Sequence, residues 1–249
     1  MFYEINTGLK TLRKEGVKPF VQKVFLYFSQ LLRAIPFSFT RKPHGRSPEE
    51  IVDFVFTAGY GLIYPGQIRS EFVQLAEVLQ KRKPRVVVEI GTATGGSLCA
   101  WCALAADDAT IISIDLPGGI HGGGYAYWRT FIYRQFTRPG QTLHLLRADS
   151  HSAETLAQLK QLLPPGGVDF LFIDGDHTYE GVKKDFEMYS PLVRPGGCIA
   201  FHDTVVHPPE IDVHVDEYWR DIRVKYAKTI EFIESPKYPV GLGIGVIEL

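Results

Sequence analysis

Val86-Val87-Val88-Glu89-Ile90-Gly91-Thr92-Ala93-Thr94-Gly95-Gly96-Ser97 is the stretch on which the reading of this chain turns. Val86, Val87, Val88 and Ile90 are β-branched, the pattern of a strand buried on both faces, as in a parallel sheet. Gly91, Gly95 and Gly96 follow as a turn in which backbone can approach a ligand with no Cβ in the way. Leu98–Ala106 is rich in Ala and Leu and reads as a helix. Strand, glycine turn and helix together open a nucleotide-type site at the top of an α/β sheet. The spacing then selects among ligands. A dinucleotide fold wants G-x-G-x-x-G, whereas this chain reads E-x-G-x-x-x-G-G.

Downstream, apolar strands repeat, and each ends on polar residues. Thr110–Ile114 ends at Asp115, which is placed to accept hydrogen bonds from ribose hydroxyls. Thr142–Arg147 ends at Ala148-Asp149-Ser150, and Ser150 has a second reading as the cap of the next helix. Val168–Ile173 ends at Asp174-Gly175-Asp176-His177, and Cys198–Phe201 ends at His202-Asp203. Neighbouring parallel strands lie about 4.8 Å apart. Asp174, His202 and Asp203 are therefore a candidate ligand set for a divalent cation. A helix is expected over Glu180–Leu192, a turn at Pro195-Gly196-Gly197, a helix over Ile211–Tyr226, and strands over Thr229–Glu234 and Leu242–Ile247.

Upstream, Ser47-Pro48-Glu49-Glu50 is a helix start, with an N-cap, a proline at the first position and acids near the positive end. Gln67–Lys81 reads as another helix. Pro117–Gly124 is glycine-rich and precedes Tyr125, Tyr127, Trp128, Phe131 and Tyr133, which reads as a lid beside an aromatic acceptor platform.

The glycine turn resembles motif I of class I S-adenosylmethionine-dependent methyltransferases, with Glu89 as the acid two positions before Gly91. S-Adenosylmethionine has no phosphate, so such a turn needs room for a sulfonium, a carboxylate and an ammonium rather than an anion cradle. The resemblance implies cofactor contacts from Glu89, Gly91, Thr92, Gly95, Ser97, Asp115, Asp149, Ser150 and Asp174, with Asp149, Ser150 and His151 at the adenine. It also implies that Tyr64, Gln67 and Glu71 close over the methionine end. Ile173-Asp174-Gly175-Asp176-His177-x-Tyr179, Leu192-Val193-x-Pro195-Gly196-Gly197 and Phe201-His202-Asp203 resemble the metal-linked small-molecule O-methyltransferases, of the catechol type and the bacterial sugar and antibiotic tailoring type. Asp174 matches the first metal aspartate of that family. His202-Asp203 stands where an Asp-Asn pair is usual, so manganese competes with magnesium. His177 stands at the position of the family's lysine base and can take a hydroxyl proton, with Asp176 or His202 as alternative participants.

The expected architecture is thus a Rossmann-like, doubly wound seven-stranded α/β sheet with one antiparallel C-terminal strand. Residues 47–249 would form the methyltransferase domain and residues 1–46 a basic, amphipathic helical extension and linker. The expected reaction moves a methyl group to a hydroxyl of a small molecule, a sugar or natural product. Two rivals stand beside it: an NAD-dependent oxidoreductase, and a non-catalytic partner that keeps the fold.

Composition limits the remaining possibilities. The 249 residues carry a formal charge of -1, which argues against a nucleic-acid partner. Residues 1–46 nevertheless hold nine Lys/Arg against two Glu. Residues 1–35 place apolar side chains at helical spacing, which fits packing on the body, a homo-oligomer contact, or peripheral contact with an anionic membrane. Three cysteines fit a reducing, cytoplasmic compartment. Cys99-x-x-Cys102 lies within one predicted helix and reads as core rather than as a redox pair.

Overall fold

The computed structural model describes residues 17–118 and 124–249, with backbone alone for Phe20, Lys23, Leu26 and Tyr27. Most of the expected lid, together with residues 1–16, lies outside the described residues.

Five parallel strands carry the fold: β1 (Val86–Ile90), β2 (Thr110–Ile114), β3 (Thr142–Leu146), β4 (Val168–Ile173) and β5 (Val193–His202). With β6 (Thr229–Phe232) and β7 (Ile244–Glu248) they form one seven-stranded sheet in the order β3-β2-β1-β4-β5-β7-β6. β7 runs antiparallel to both β5 and β6, so the last hairpin closes the sheet as the sequence predicts. Every residue of β1 is buried, the consequence of its central place and its helix-covered faces.

The helices fall into two layers. α1 (Val17–Ser38), α2 (Pro48–Thr57), α3 (Arg69–Arg82) and α4 (Gly96–Leu104) cover one face, around a core that includes Phe37, Phe72, Trp101, Phe170 and Phe172. α5 (Arg129–Tyr133) joins this layer through Ile132 and Tyr133. α6 (Ala153–Leu162), α7 (Tyr179–Tyr189) and α8 (Val215–Arg223) cover the other face, around Leu159, Phe186, Phe201, Tyr218 and Trp219. Ser47 caps α2 in a reciprocal box with Glu50, as its sequence predicts. Cys99, Cys102 and Cys198 are free and buried, in accord with the core reading.

Several boundaries move. Pro195-Gly196-Gly197 belongs to the start of β5 instead of a separate turn; the pairing with β4 shifts register there, and a bulge accommodates the extra residues. α8 is shorter than the predicted 211–226 helix. α1 continues through Pro36 into the segment read as linker, because Ala34 and Phe37 find the core and hold that turn. The aromatic stretch after residue 124 gives only the short α5. Tyr125 and Tyr133 are buried against each other, and Tyr127 and Phe131 face outward. None of its five rings lines the central cleft, so the acceptor-platform reading is not upheld among the described residues.

Candidate active site

The carboxyl ends of β1, β2, β3, β4 and β5 open into one cleft of about 510 Å³. Its floor is the glycine turn after β1. Gly91 has φ 86°, and a Cβ there would stand 1.8 Å from the carbonyl oxygen of Asp174. The glycine is therefore demanded first by the approach of the β4 tip. Gly95, φ 84°, lies off the cleft; a side chain there would strike the ring of Tyr133. Gly96 likewise leaves room for the backbone of Tyr64 and Pro65.

Asp115, at the tip of β2, ties down this turn. Its Oδ2 accepts from the amides of Thr92 at 3.2 Å and Ala93 at 2.7 Å. Burial pushes its carboxyl up to about 6, against the pull of those amides, the Gly124 amide and Arg147. Thr92 and Ser97 also line the cleft, as do Asp149 and Ser150 at the tip of β3. The cap of α6 is Ser152, not Ser150, whose carbonyl instead accepts from Tyr189.

Glu89 is buried below the cleft and lines none of it. It accepts from Thr92 Oγ1 at 2.8 Å and from the Trp101 indole at 2.7 Å. Burial raises its carboxyl to about 8, offset in part by Ser97, Thr92 and Trp101. Its contact with a ligand, expected from the motif, is thus replaced by a brace that sets Thr92 and α4.

At the far end, acids and imidazoles converge. Asp174 receives Gln67 Nε2 at 2.8 Å on one oxygen. On the other it meets His202 Nδ1 at 3.1 Å and His177 Nε2 at 3.3 Å. Asp203 faces His177 Nδ1 at 3.2 Å, His202 Nδ1 at 3.4 Å and His207 Nε2 at 3.4 Å. Asp203 sits at φ 61°, a conformation non-glycine residues seldom adopt, which turns its carboxylate toward all three rings. Burial works against charge on Asp174, His177, His202 and Asp203, but the opposite charges prevail. His202 is held well above the usual imidazole range by Asp203 and Asp174, and His177 is raised by Asp174 and Asp203. Asp174 and Asp203 are held low, each with His202 as the leading favourable partner.

One donor atom from each of Asp174, His177 and Asp203 lies within 4.8 Å of the others, a compact group able to take a metal ion. His177 therefore stands where the sequence reading has His202. His177, on the loop after β4, lies between both carboxylates, one ring nitrogen toward each. His202 presents Nδ1 to them and keeps a buried Nε2 with no hydrogen-bond partner. Asp176 lines the cleft, but its Oδ1 is taken by the amide and hydroxyl of Thr178, which leaves that oxygen fixing the turn and not His177.

Of the upstream residues, Tyr64 and Gln67 reach the cleft and Glu71 does not. Glu71 is fully buried and accepts the amides of Glu234 and Gly243 at 2.9 Å each, clasping the C-terminal hairpin. His207 is the residue that pattern reading passed over. A histidine between Val206 and Pro208 carries no motif, although it stands only four residues after Asp203, whose carboxylate its Nε2 meets.

A sheet with this strand order and an antiparallel last hairpin, its glycine turn and acids gathered at the strand tips, defines the class I methyltransferase fold. A methyltransferase-domain family model matches residues 88–204 of the chain. It is 32% identical over 158 residues to the uncharacterized protein R132 of Acanthamoeba polyphaga mimivirus, covering 63% of this chain and 69% of that one. It is also 32% identical over 148 residues to the uncharacterized protein y4gI of Sinorhizobium fredii, covering 56% of this chain and 15% of that protein's length. The chain thus spans a minor part of y4gI. The fold is shared with an O-methyltransferase from Bacillus cereus solved with SAH (TM-score 0.50, 18% identity, 82% and 90% of the two chains). It is shared too with TomG of Streptomyces achromogenes, solved with SAM (TM-score 0.50, 16% identity, 91% and 96%).

Proposed function

We propose that the chain is an S-adenosylmethionine-dependent O-methyltransferase that acts on a hydroxyl of a small molecule, a sugar or natural product. The observation that carries this reading is one cleft that joins the glycine turn, with Asp115 and Asp149, to the Asp174-His177-Asp203 group. The methyltransferase-domain match over residues 88–204 does not favour the oxidoreductase alternative.

The adenosyl end would rest along Gly91–Ala93, with Asp115 receiving the ribose hydroxyls and Asp149 and Ser150 near the adenine. When bound, the cofactor supplies an electrophilic methyl on a sulfonium. The chain must hold an oxygen close to it and on axis. Ile211, Val213, Tyr238 and Leu242 line the cleft and give it an apolar and aromatic wall suited to a ring-shaped acceptor. His177 would receive the hydroxyl proton, and Asp203 would orient its ring and stabilise the imidazolium. The carboxylates of Asp174 and Asp203 would also suit a divalent cation such as magnesium or manganese, with His177 beside it as proton acceptor rather than ligand. Such an ion, when bound, polarises the acceptor oxygen.

The test is mass spectrometry of reactions between labelled cofactor and a panel of polyhydroxylated acceptors, with and without chelator. A labelled product is expected. Loss of most turnover in chelator, restored by added manganese or magnesium, supports the cation, and full activity in chelator removes it. Absence of product across the panel, from a protein that also fails to bind SAH, would end the reading.

Asp115 gives a second check. Its carboxyl titrates near 6, and the ribose needs the ionised form as acceptor. SAH affinity is therefore expected to hold at neutral pH and to weaken below about pH 6, by at most about tenfold per unit. The sign for folding is opposite. A carboxyl raised by burial is destabilising when ionised, so Asp115 adds stability as pH falls from about 6 toward the ordinary range near 4. Calorimetric titration with SAH from about pH 5 to 8, beside Asp115→Asn, separates the two effects. A wild-type affinity flat across that range would count against the ribose role.

A further inference from the structure

We propose that the outer face of α1 docks on an anionic phospholipid surface. One side of α1 belongs to the core: Ala34 and Phe37 are buried, Gln30 accepts from Arg129, and Arg33 donates to the carbonyl of Tyr60. The other side carries a continuous apolar stripe. Val21 is 55% exposed, Phe25 71%, Leu32 69%, Ile35 61% and Phe39, just beyond the helix, 87%. At about 100° per residue these positions share a sector about 100° wide, turned away from Ala34 and Phe37. Single exposed apolar residues are ordinary, whereas a stripe of this length marks an interaction surface.

Charge decides between occupants. No acid occurs between Glu15 and Glu49, while Lys18, bordering the stripe, and Arg41 and Arg46, just beyond the helix, are exposed cations. A symmetric pair through α1 would lay this surface against its own copy, with cations meeting cations and no counter-charge from the segment. Phospholipid headgroups of negative charge supply the counter-charge, and the acyl boundary takes the stripe. No described helix is long and apolar enough to cross a membrane, so α1 would lie in the plane of the interface. This inference stands apart from the methyl-transfer reading and needs no part of it.

The full chain is sedimented with phosphatidylcholine vesicles, with and without phosphatidylserine. It is expected to pellet with the anionic vesicles at low salt and to be released at high salt. Phe25→Asp with Leu32→Asp should weaken partition at least about tenfold, with the circular-dichroism spectrum unchanged. Phe25→Ser alone, at an exposed position, gives a smaller loss without risk to folding. Lys18→Gln should lower partition into anionic vesicles only. Recovery of wild type in the supernatant under all conditions overturns the proposal. So does equal sedimentation of the apolar double variant, or a dimer by light scattering that the double variant dissociates.

Discussion

Asp203→Asn is expected to lower kcat for methyl transfer by about 10²- to 10⁴-fold, the range that follows loss of a positioned acid–base partner or buried electrostatic stabiliser. Asp203 is buried and within 3.4 Å of His177, His202 and His207. A neutral amide leaves the imidazoles short of counter-charge and removes a carboxylate from the candidate cation group. His177→Gln should fall by a similar factor if that ring takes the proton. In both variants SAH affinity should stay within about threefold of wild type, because Asp115 and the glycine turn are untouched. The Asn variant also carries a stability cost of about 3–5 kcal/mol, the usual consequence of breaking a buried pair. Its pH sense is fixed. Asp203 is held below the usual carboxylate range, so its contribution is complete above about pH 4 and fades as pH falls below that. The deficit relative to wild type should therefore be full at neutral pH and shrink in acid. A kcat near wild type from a folded Asn variant would remove the cluster from the chemistry.

Gly91→Ala should unfold the protein far more readily than its chemistry suggests. The new Cβ would stand 1.8 Å from the carbonyl oxygen of Asp174 and 2.4 Å from its carbon. Both are backbone atoms of a central strand tip and cannot swing aside. The left-handed φ of 86° adds strain for any residue with a Cβ. Overpacking and strain together cost about 3–5 kcal/mol. For a domain of this size that lowers Tm by roughly 6–20 °C. Gly45, with φ 73° and nothing within 4 Å of an added Cβ, is the control for backbone strain alone, and Gly45→Ala should shift Tm far less. Equal shifts for the two variants would show that the contact with Asp174 does not matter. Where Gly91→Ala remains folded, displacement of Asp174 should also reduce SAH binding.

The strand tips were legible because each apolar run stops on a polar residue. That pattern alone put Asp115, Asp149, Asp174, His202 and Asp203 at one edge of a parallel sheet, where the structure has them. The glycine pattern also told a methyl-donor turn from a dinucleotide turn. Less visible was what each polar group faces. Glu89 reads as a ligand contact from its place in the motif, yet strand alternation sends it to the α4 side, onto Trp101. Glu71 reads as part of the closure over the methionine end and is instead a buried clasp for two backbone amides over 160 residues away. One oxygen of Asp176 is taken by its own turn, through local hydrogen bonds from Thr178.

By itself the sequence determined the order of strands and helices and the loops that carry the chemistry, since these follow from apolar periodicity and turn residues acting over short range, while the antiparallel ending was implied by the family resemblance. Tertiary structure alone decided that His177 lies between Asp174 and Asp203, that His207 joins them, and that Gly91 is spaced against Asp174. The contacts of His177 with Asp203 and of Gly91 with Asp174 join segments far apart in the chain. Their distances are set by strand spacing, helix packing and a left-handed Asp203, none of which leaves a mark on local residue pattern.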